Sequence, residues 1–201
     1  EDGIKKYRHT FETAVGDITG IMASSPVDTV VYIPHIEEAL VKETSDWRVV
    51  NHIYSLILDK MAPNYKGVDA MKKDLGDNGI VAANIQMTPW QRAWVEWASL
   101  ERAVLDFHEQ PEEIQEYLDI QNRLHKRVAD FVADCPCTFI NVFDNMTDTV
   151  SPSYYRDYCL PIYENYAKQL EGTGKILGIH MDGLLANLKQ EIADTPCNVI
   201  E

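Results

Sequence analysis

Basic residues are scarce in this chain. There are 18 lysines and arginines against 32 aspartates and glutamates, a formal net charge of −14. A surface of that sign repels phosphate backbones and anionic headgroups, so neither nucleic acid nor an acidic membrane surface is expected as a partner. Cysteine is scarce too. Cys135, Cys137, Cys159 and Cys197 in 201 residues make no disulfide framework. Cys135-Pro136-Cys137 lacks a second Cys or His pair at finger spacing. It reads as two small apolar residues opening a buried strand. No apolar run approaches the roughly 18 residues that span a bilayer, and no leader pattern stands at the start, so a cytoplasmic protein is expected. G-x-x-x-x-G-K, G-x-G-x-x-G and G-x-S-x-G are all missing, as are repeats and low-complexity tracts.

What is present suits a globular α/β chain. Hydrophobic residues make up 45%, enough for a proper core at this length. Residues 1–43 read as an irregular or hairpin-like extension. Glu1 to Glu12 is polar, and Val15–Gly20 and Thr29–Ile33 form two candidate strands with Ser24-Ser25-Pro26 between them. From residue 44 onward, helices and strands alternate. Thr44 or Ser45 caps a helix carrying Trp47, Val50, Ile53, Tyr54, Ile57 and Leu58, which Pro63 stops. Val68–Leu75 is a second helix, closed by Gly76. After the strand Ile80–Ile85 comes a helix opened by Thr88-Pro89, with Trp90, Trp94 and Trp97 as an i, i+4, i+7 stripe. Glu101–His108 and Pro111–Ala133 continue as helix, and Thr138–Asp144 is the next strand. Ser151-Pro152 caps a helix to Leu170, with a break expected between Asp157 and Pro161 because proline lacks the donor and crowds the carbonyl four residues back.

The last stretch, Lys175 to Glu201, reads as strand, helix, strand. Ile176–Ile179 is a short run buried on both faces, Leu184, Leu185, Leu188 and Ile192 recur at helical spacing, Thr195-Pro196 ends the helix, and an apolar run leads to Glu201. That is a βαβ unit. Polar residues gather where these strands end, which is where parallel α/β folds place ligands. They are Asn84, Gln86 and Thr88 on one face of the first, Asp144 and Asn145 on the second, and His180 with Asp182 on the third. Residues two apart in extended chain share a face, so His180 and Asp182 are predicted to point together. Gln86, Asp144, His180 and Asp182 are expected to share one cleft. The bland alternatives are a hydrogen-bonded structural histidine and a satisfied polar pair inside a sheet.

Taken in order, Ile85-Gln86-Met87-Thr88-Pro89, Val142-Phe143-Asp144-Asn145, Ser151-Pro152 with Tyr155, Leu160-Pro161-Ile162-Tyr163, Gly174-Lys175, His180-Met181-Asp182-Gly183 and Val199-Ile200-Glu201 resemble the uroporphyrinogen decarboxylase superfamily. The resemblance runs from about Thr13 to the end and is nearer the corrinoid-dependent methyltransferase branch. It implies one incomplete (β/α)8 TIM-barrel domain covering about strands 3 to 6. The other strands would then be supplied by further segments of the same protein, or the open edges covered by another copy in a homo-oligomer. A barrel of this type takes about 250 residues.

In that branch the strand carrying His180 bears His-x-Cys-Gly, whose His and Cys hold zinc. Here His180 and Gly183 match and Asp182 replaces the Cys, which makes a harder site, less suited to thiolate chemistry. The resemblance implies methyl transfer between a small methylated substrate and a corrinoid carrier on a partner protein. His180, Asp182 and Asp144 would be catalytic, with Gln86, Asn145 and Asn84 on the substrate. Zinc, if used, would sit on His180, Asp182 and Glu201. The alternatives are a tetrapyrrole decarboxylase, which would want basic residues at these strand ends, and a non-catalytic fragment or binding subunit.

Overall fold

The computed structural model describes residues 4–26 and 32–201. In chain order, strands β1 (Lys5–Thr13), β2 (Gly16–Pro26) and β3 (Tyr32–Glu38) precede helices α1 (Trp47–Lys60) and α2 (Tyr65–Leu75). Strand β4 (Ala82–Ile85) leads to α3 (Pro89–Arg92), α4 (Leu100–Glu109) and α5 (Glu112–Asp134). Then come β5 (Phe139–Phe143), α6 (Pro152–Tyr154), α7 (Leu160–Leu170), β6 (Ile176–His180), α8 (Lys189–Ala193) and β7 (Val199–Ile200). Two compact units result: Glu1–Asp59 with Arg92–Ile120, and Lys60–Gln91 with Gln121–Glu201. No helix among the described residues is long and apolar enough to cross a membrane.

The first unit holds an antiparallel sheet in the order β1-β2-β3. The hairpin-like extension expected before residue 44 is thus present, and Lys5–Thr13, expected only as a polar segment, adds a strand to it. Lys5–Thr13 is a strand because Lys5, Tyr7, His9, Phe11 and Thr13 alternate with Lys6, Arg8, Thr10 and Glu12, and period two is the strand's own. Ser24 to Pro26, expected as a turn, belongs to β2. Thr29 to Val31 lie outside the described residues. The α1 cap is also displaced from Thr44 or Ser45. Glu43 and Asp46 form a capping box around a short 3₁₀ turn, Thr44–Asp46. The core of this unit is aromatic: Trp47 lies 4.9 Å from Tyr117, and Tyr54 5.7 Å from Trp97, between ring centroids. Buried Asp106 accepts hydrogen bonds from Trp47 Nε1, Thr44 Oγ1 and Arg102 Nε, each at 2.8 Å.

The second unit holds a parallel sheet in the order β4-β5-β6-β7. Its register puts Asn84 beside Asn141 and Gly178, Ile85 beside Val142 and Ile179, and Phe143 beside His180. One face carries Ile85, Ile140, Val142, Leu177 and Ile179, all buried, with Ile200 at its edge partly exposed. The other is partly open: Phe143 is 42% exposed, Val199 41% and Ile176 40%. Gly178 on this open face makes room for the Phe139 ring, whose tip a Cβ there would meet at 2.5 Å.

Two helices depart from regular α geometry. The backbone from Tyr155 to Cys159 is a π turn, with Leu160 N–H bonded to Tyr155 O five residues back, and α7 begins at Leu160 with Pro161 in its first turn. The break expected before Pro161 is therefore an extra-wide turn, which dispenses with the donor that proline lacks. A second π turn, Ala93–Trp97, interrupts the tryptophan stripe. Trp97 packs on Phe11 and Tyr54 in the first unit, while Trp90 packs on Tyr154 and Tyr158 in the second.

Candidate active site at the parallel strand ends

Asp144 and His180 stand at the same end of the parallel sheet, and the Asp144 N–H donates to the His180 carbonyl at 3.3 Å. Their side chains nevertheless go opposite ways. Phe143 is the residue in register with His180, so Asp144, one position on, turns to the helix-covered face. There it is fully buried. Its carboxylate accepts from Thr88 N–H at 2.8 Å, from the Thr88 hydroxyl at 2.9 Å, and from the Tyr163 hydroxyl. Gln91 Nε2 donates to the Asp144 and Asn145 carbonyls at 2.8 and 3.0 Å. Burial pushes the Tyr163 hydroxyl well above the usual tyrosine range, with the Asp144 charge adding to it. Asp144 therefore ties the end of β4 to α7 and, through its backbone, to the end of β6. It does not share a cleft with His180.

His180 lies on the open face. Its ring stacks on Phe143, centroids 4.5 Å apart and planes 10° from parallel. Asp182 Oδ2 stands 3.7 Å from Nε2 and Glu201 Oε2 stands 3.4 Å from Nδ1. Glu201 is carried there by the β6–β7 ladder, through Glu201 N to Ile179 O at 3.1 Å and Met181 N to Glu201 O at 2.8 Å. Both carboxylates are exposed, whereas the His180 side chain is 16% exposed. Gly183 N donates to Met146 O at 3.0 Å, and a Cβ on Gly183 would come within 2.5 Å of that oxygen, so only glycine fits the turn after Asp182.

The remaining expected site residues divide. Gln86 follows β4 with its Nε2 buried and without a hydrogen-bond partner. Asn84 is exposed on the open face. Asn145 takes a left-handed conformation, φ 44°, with Oδ1 buried and unpartnered. Asparagine tolerates that region better than most residues. Phe143 and Tyr163 gain importance that their types alone did not announce, and Thr88, expected at a strand end, serves Asp144. For Phe143 the signal is its exposure at a strand end beside a histidine.

A zinc ion on His180, Asp182 and Glu201 together does not fit this arrangement. The unpartnered His180 Nδ1 is a free donor, and imidazole with carboxylates is a chemically sound zinc set. But the two carboxylates flank opposite ring nitrogens, so one ion cannot meet all three side chains as they stand. Among the described residues no group of three His, Cys, Asp or Glu side chains is placed to hold a metal.

The family model for uroporphyrinogen decarboxylase (URO-D) matches residues 25–201. A solved methyltransferase from Methanosarcina mazei is similar in fold, with a TM-score of 0.52 and 13% identity. The match covers 83% of this chain and 48% of that one, so the chain spans about half the length of its structural neighbour. No curated protein matches. The shared fold is a partial (β/α)8 barrel, of which β4 to β7 are consecutive strands.

Proposed function

The chain belongs to the uroporphyrinogen decarboxylase (URO-D) family, and from that premise we propose that it serves methyl transfer between a small methylated substrate and a corrinoid carrier. The observation that carries this reading is His180, held on the open face of the strand ends between two carboxylates. The corrinoid, on a partner protein, supplies the cobalt that exchanges the methyl group. This chain's residues handle the heteroatom. When a thiol accepts the methyl, its S–H proton passes to an imidazole nitrogen of His180. In the reverse direction that nitrogen returns a proton to the departing sulfur or oxygen. Asp182 and Glu201 stand on either side of the ring that carries this proton. Gln86, Asn84 and Asn145 offer amide groups to orient the substrate. Decarboxylation of a tetrapyrrole is less well supported, because Gln86, Asp144, Asn145, His180, Asp182 and Glu201 include no lysine or arginine for its several carboxylates.

The test uses the full-length protein with methylcob(III)alamin as methyl donor and 2-mercaptoethanol as acceptor, without oxygen. Visible absorbance reads the cob(I)alamin released. The protein is expected to accelerate the reaction over buffer and His180→Ala to return it to background. No acceleration, or full activity in His180→Ala, overturns the reading.

A further inference from the structure

Neither nitrogen of the His180 imidazole is fixed by a hydrogen bond. Asp182 is too far from Nε2 at 3.7 Å, and Nδ1 is buried without a hydrogen-bond partner although Glu201 lies 3.4 Å away. The torsion that turns an imidazole about its Cβ–Cγ bond is broad, so hydrogen bonds usually set the ring plane. Here the ring face does it. Phe143 sits directly opposite His180 in the parallel ladder, and the two rings lie 10° from parallel with centroids 4.5 Å apart. That separation is close to the spacing of adjacent strands, so the ladder itself sets the two rings in stacking contact.

We propose that Phe143 is a positioning residue, which holds the His180 imidazole in the plane that presents one nitrogen to Asp182 and the other to Glu201. The inference rests on the acid–base reading of His180 above. The stack also stabilises the β5–β6 pair, as cross-strand aromatic contacts do. At 42% exposed, Phe143 follows three buried residues of β5 and leaves much of its ring in solvent. The ring adds a flat face against which the imidazole cannot turn, and its bulk keeps water from one side of the pair.

The experiment compares Phe143→Ala, Phe143→Leu, Phe143→Tyr and His180→Ala in the full-length protein, with methylcob(III)alamin and 2-mercaptoethanol. Phe143→Ala is expected to lower kcat about tenfold, a change of ~1.4 kcal/mol and of the order of one aromatic pair, with KM for the thiol within about twofold of wild type. Phe143→Tyr restores kcat, and Phe143→Leu, which keeps bulk but no ring face, does not. In parallel, NMR of the His180 ring protons reads the stack. They lie upfield in wild type and Phe143→Tyr and move downfield in Phe143→Ala and Phe143→Leu. Wild-type kcat in Phe143→Leu, or in Phe143→Ala while His180→Ala is inactive, overturns the proposal. So do ring-proton shifts that ignore the substitutions. Equal rates for wild type and His180→Ala would sink the acid–base reading instead, and with it the catalytic role of the stack.

Discussion

Replacing Asp144 by alanine strands the Thr88 N–H, the Thr88 hydroxyl and the Tyr163 hydroxyl, all of which donate to its carboxylate. A buried donor left unpaired destabilises by roughly 1–3 kcal/mol, and less where a hydroxyl finds another acceptor. The Thr88 hydroxyl has one in Cys159 Sγ at 3.4 Å, whereas the Thr88 N–H is fixed in the backbone. The loss should therefore total about 4 kcal/mol. For a chain of this length each kcal/mol moves the melting temperature by roughly 2–4 °C, so a fall of about 8–16 °C is expected by calorimetry. Asp144→Asn should fall about half as far, since its oxygen still accepts from Thr88 N–H and its amide donates to the Tyr163 oxygen, which can reverse its role. A melting temperature for Asp144→Ala within about 3 °C of wild type would refute the reasoning. The buried network would then be a bystander, and the link it makes between strand ends would carry no stability.

Tyr54 should make stability fall at alkaline pH. Burial is the main cause that pushes its pKa from 10.0 up to about 12, with Glu96 adding and Arg92 opposing. The raised value means that its contribution is complete below pH 10 and is lost as pH rises through about 12, roughly 2–3 kcal/mol in all. Denaturant titrations from pH 9 to 12 should show the decline, and Tyr54→Phe should remove Tyr54's share of it, leaving that of the other buried tyrosines. Gly183→Ala should destabilise by roughly 2–3 kcal/mol, because the Met146 carbonyl in the way is backbone and cannot swing aside. An unchanged denaturation midpoint for that variant would contradict the close approach.

Much of the second unit was legible from pattern alone. Short apolar runs bounded by glycine and proline located β4, β5 and β6, because strands buried in a parallel sheet are apolar throughout. The end of each strand then located the polar residues. Inter-strand register was not legible, since no single strand contains it. That is why Asp144 was expected beside His180: both end a strand, but Phe143, not Asp144, stands opposite His180. The shared face of His180 and Asp182 needed only the period of one strand, and their side chains do lie 3.7 Å apart. The antiparallel sheet of the first unit was harder, because β1 alternates polar with amphipathic residues and shows no run of hydrophobic ones. The break near Pro161 followed from proline's missing donor. The π turn at Ala93–Trp97 contains no such residue, and nothing in its local sequence marks it.

The π turn at Tyr155–Cys159 has a consequence for the handling of insertions and deletions. Successive residues of an α-helix are about 100° apart around its axis, and a π turn accommodates one residue more than a regular turn. Everything from Leu160 onward is thus rotated by about 100° relative to a regular continuation of α6. Tyr163, Tyr166 and Leu170 are buried on the resulting side of α7, and Tyr163 meets Asp144 there. Deleting a single residue between Tyr155 and Cys159 would restore an ordinary helix and leave Tyr163 facing the carboxylate, because the turn already absorbs one residue. An insertion between Leu160 and Tyr163 would instead turn Tyr163 about 100° away from it. The segment is therefore a place where the chain can lose one residue without re-aiming the side chains that follow.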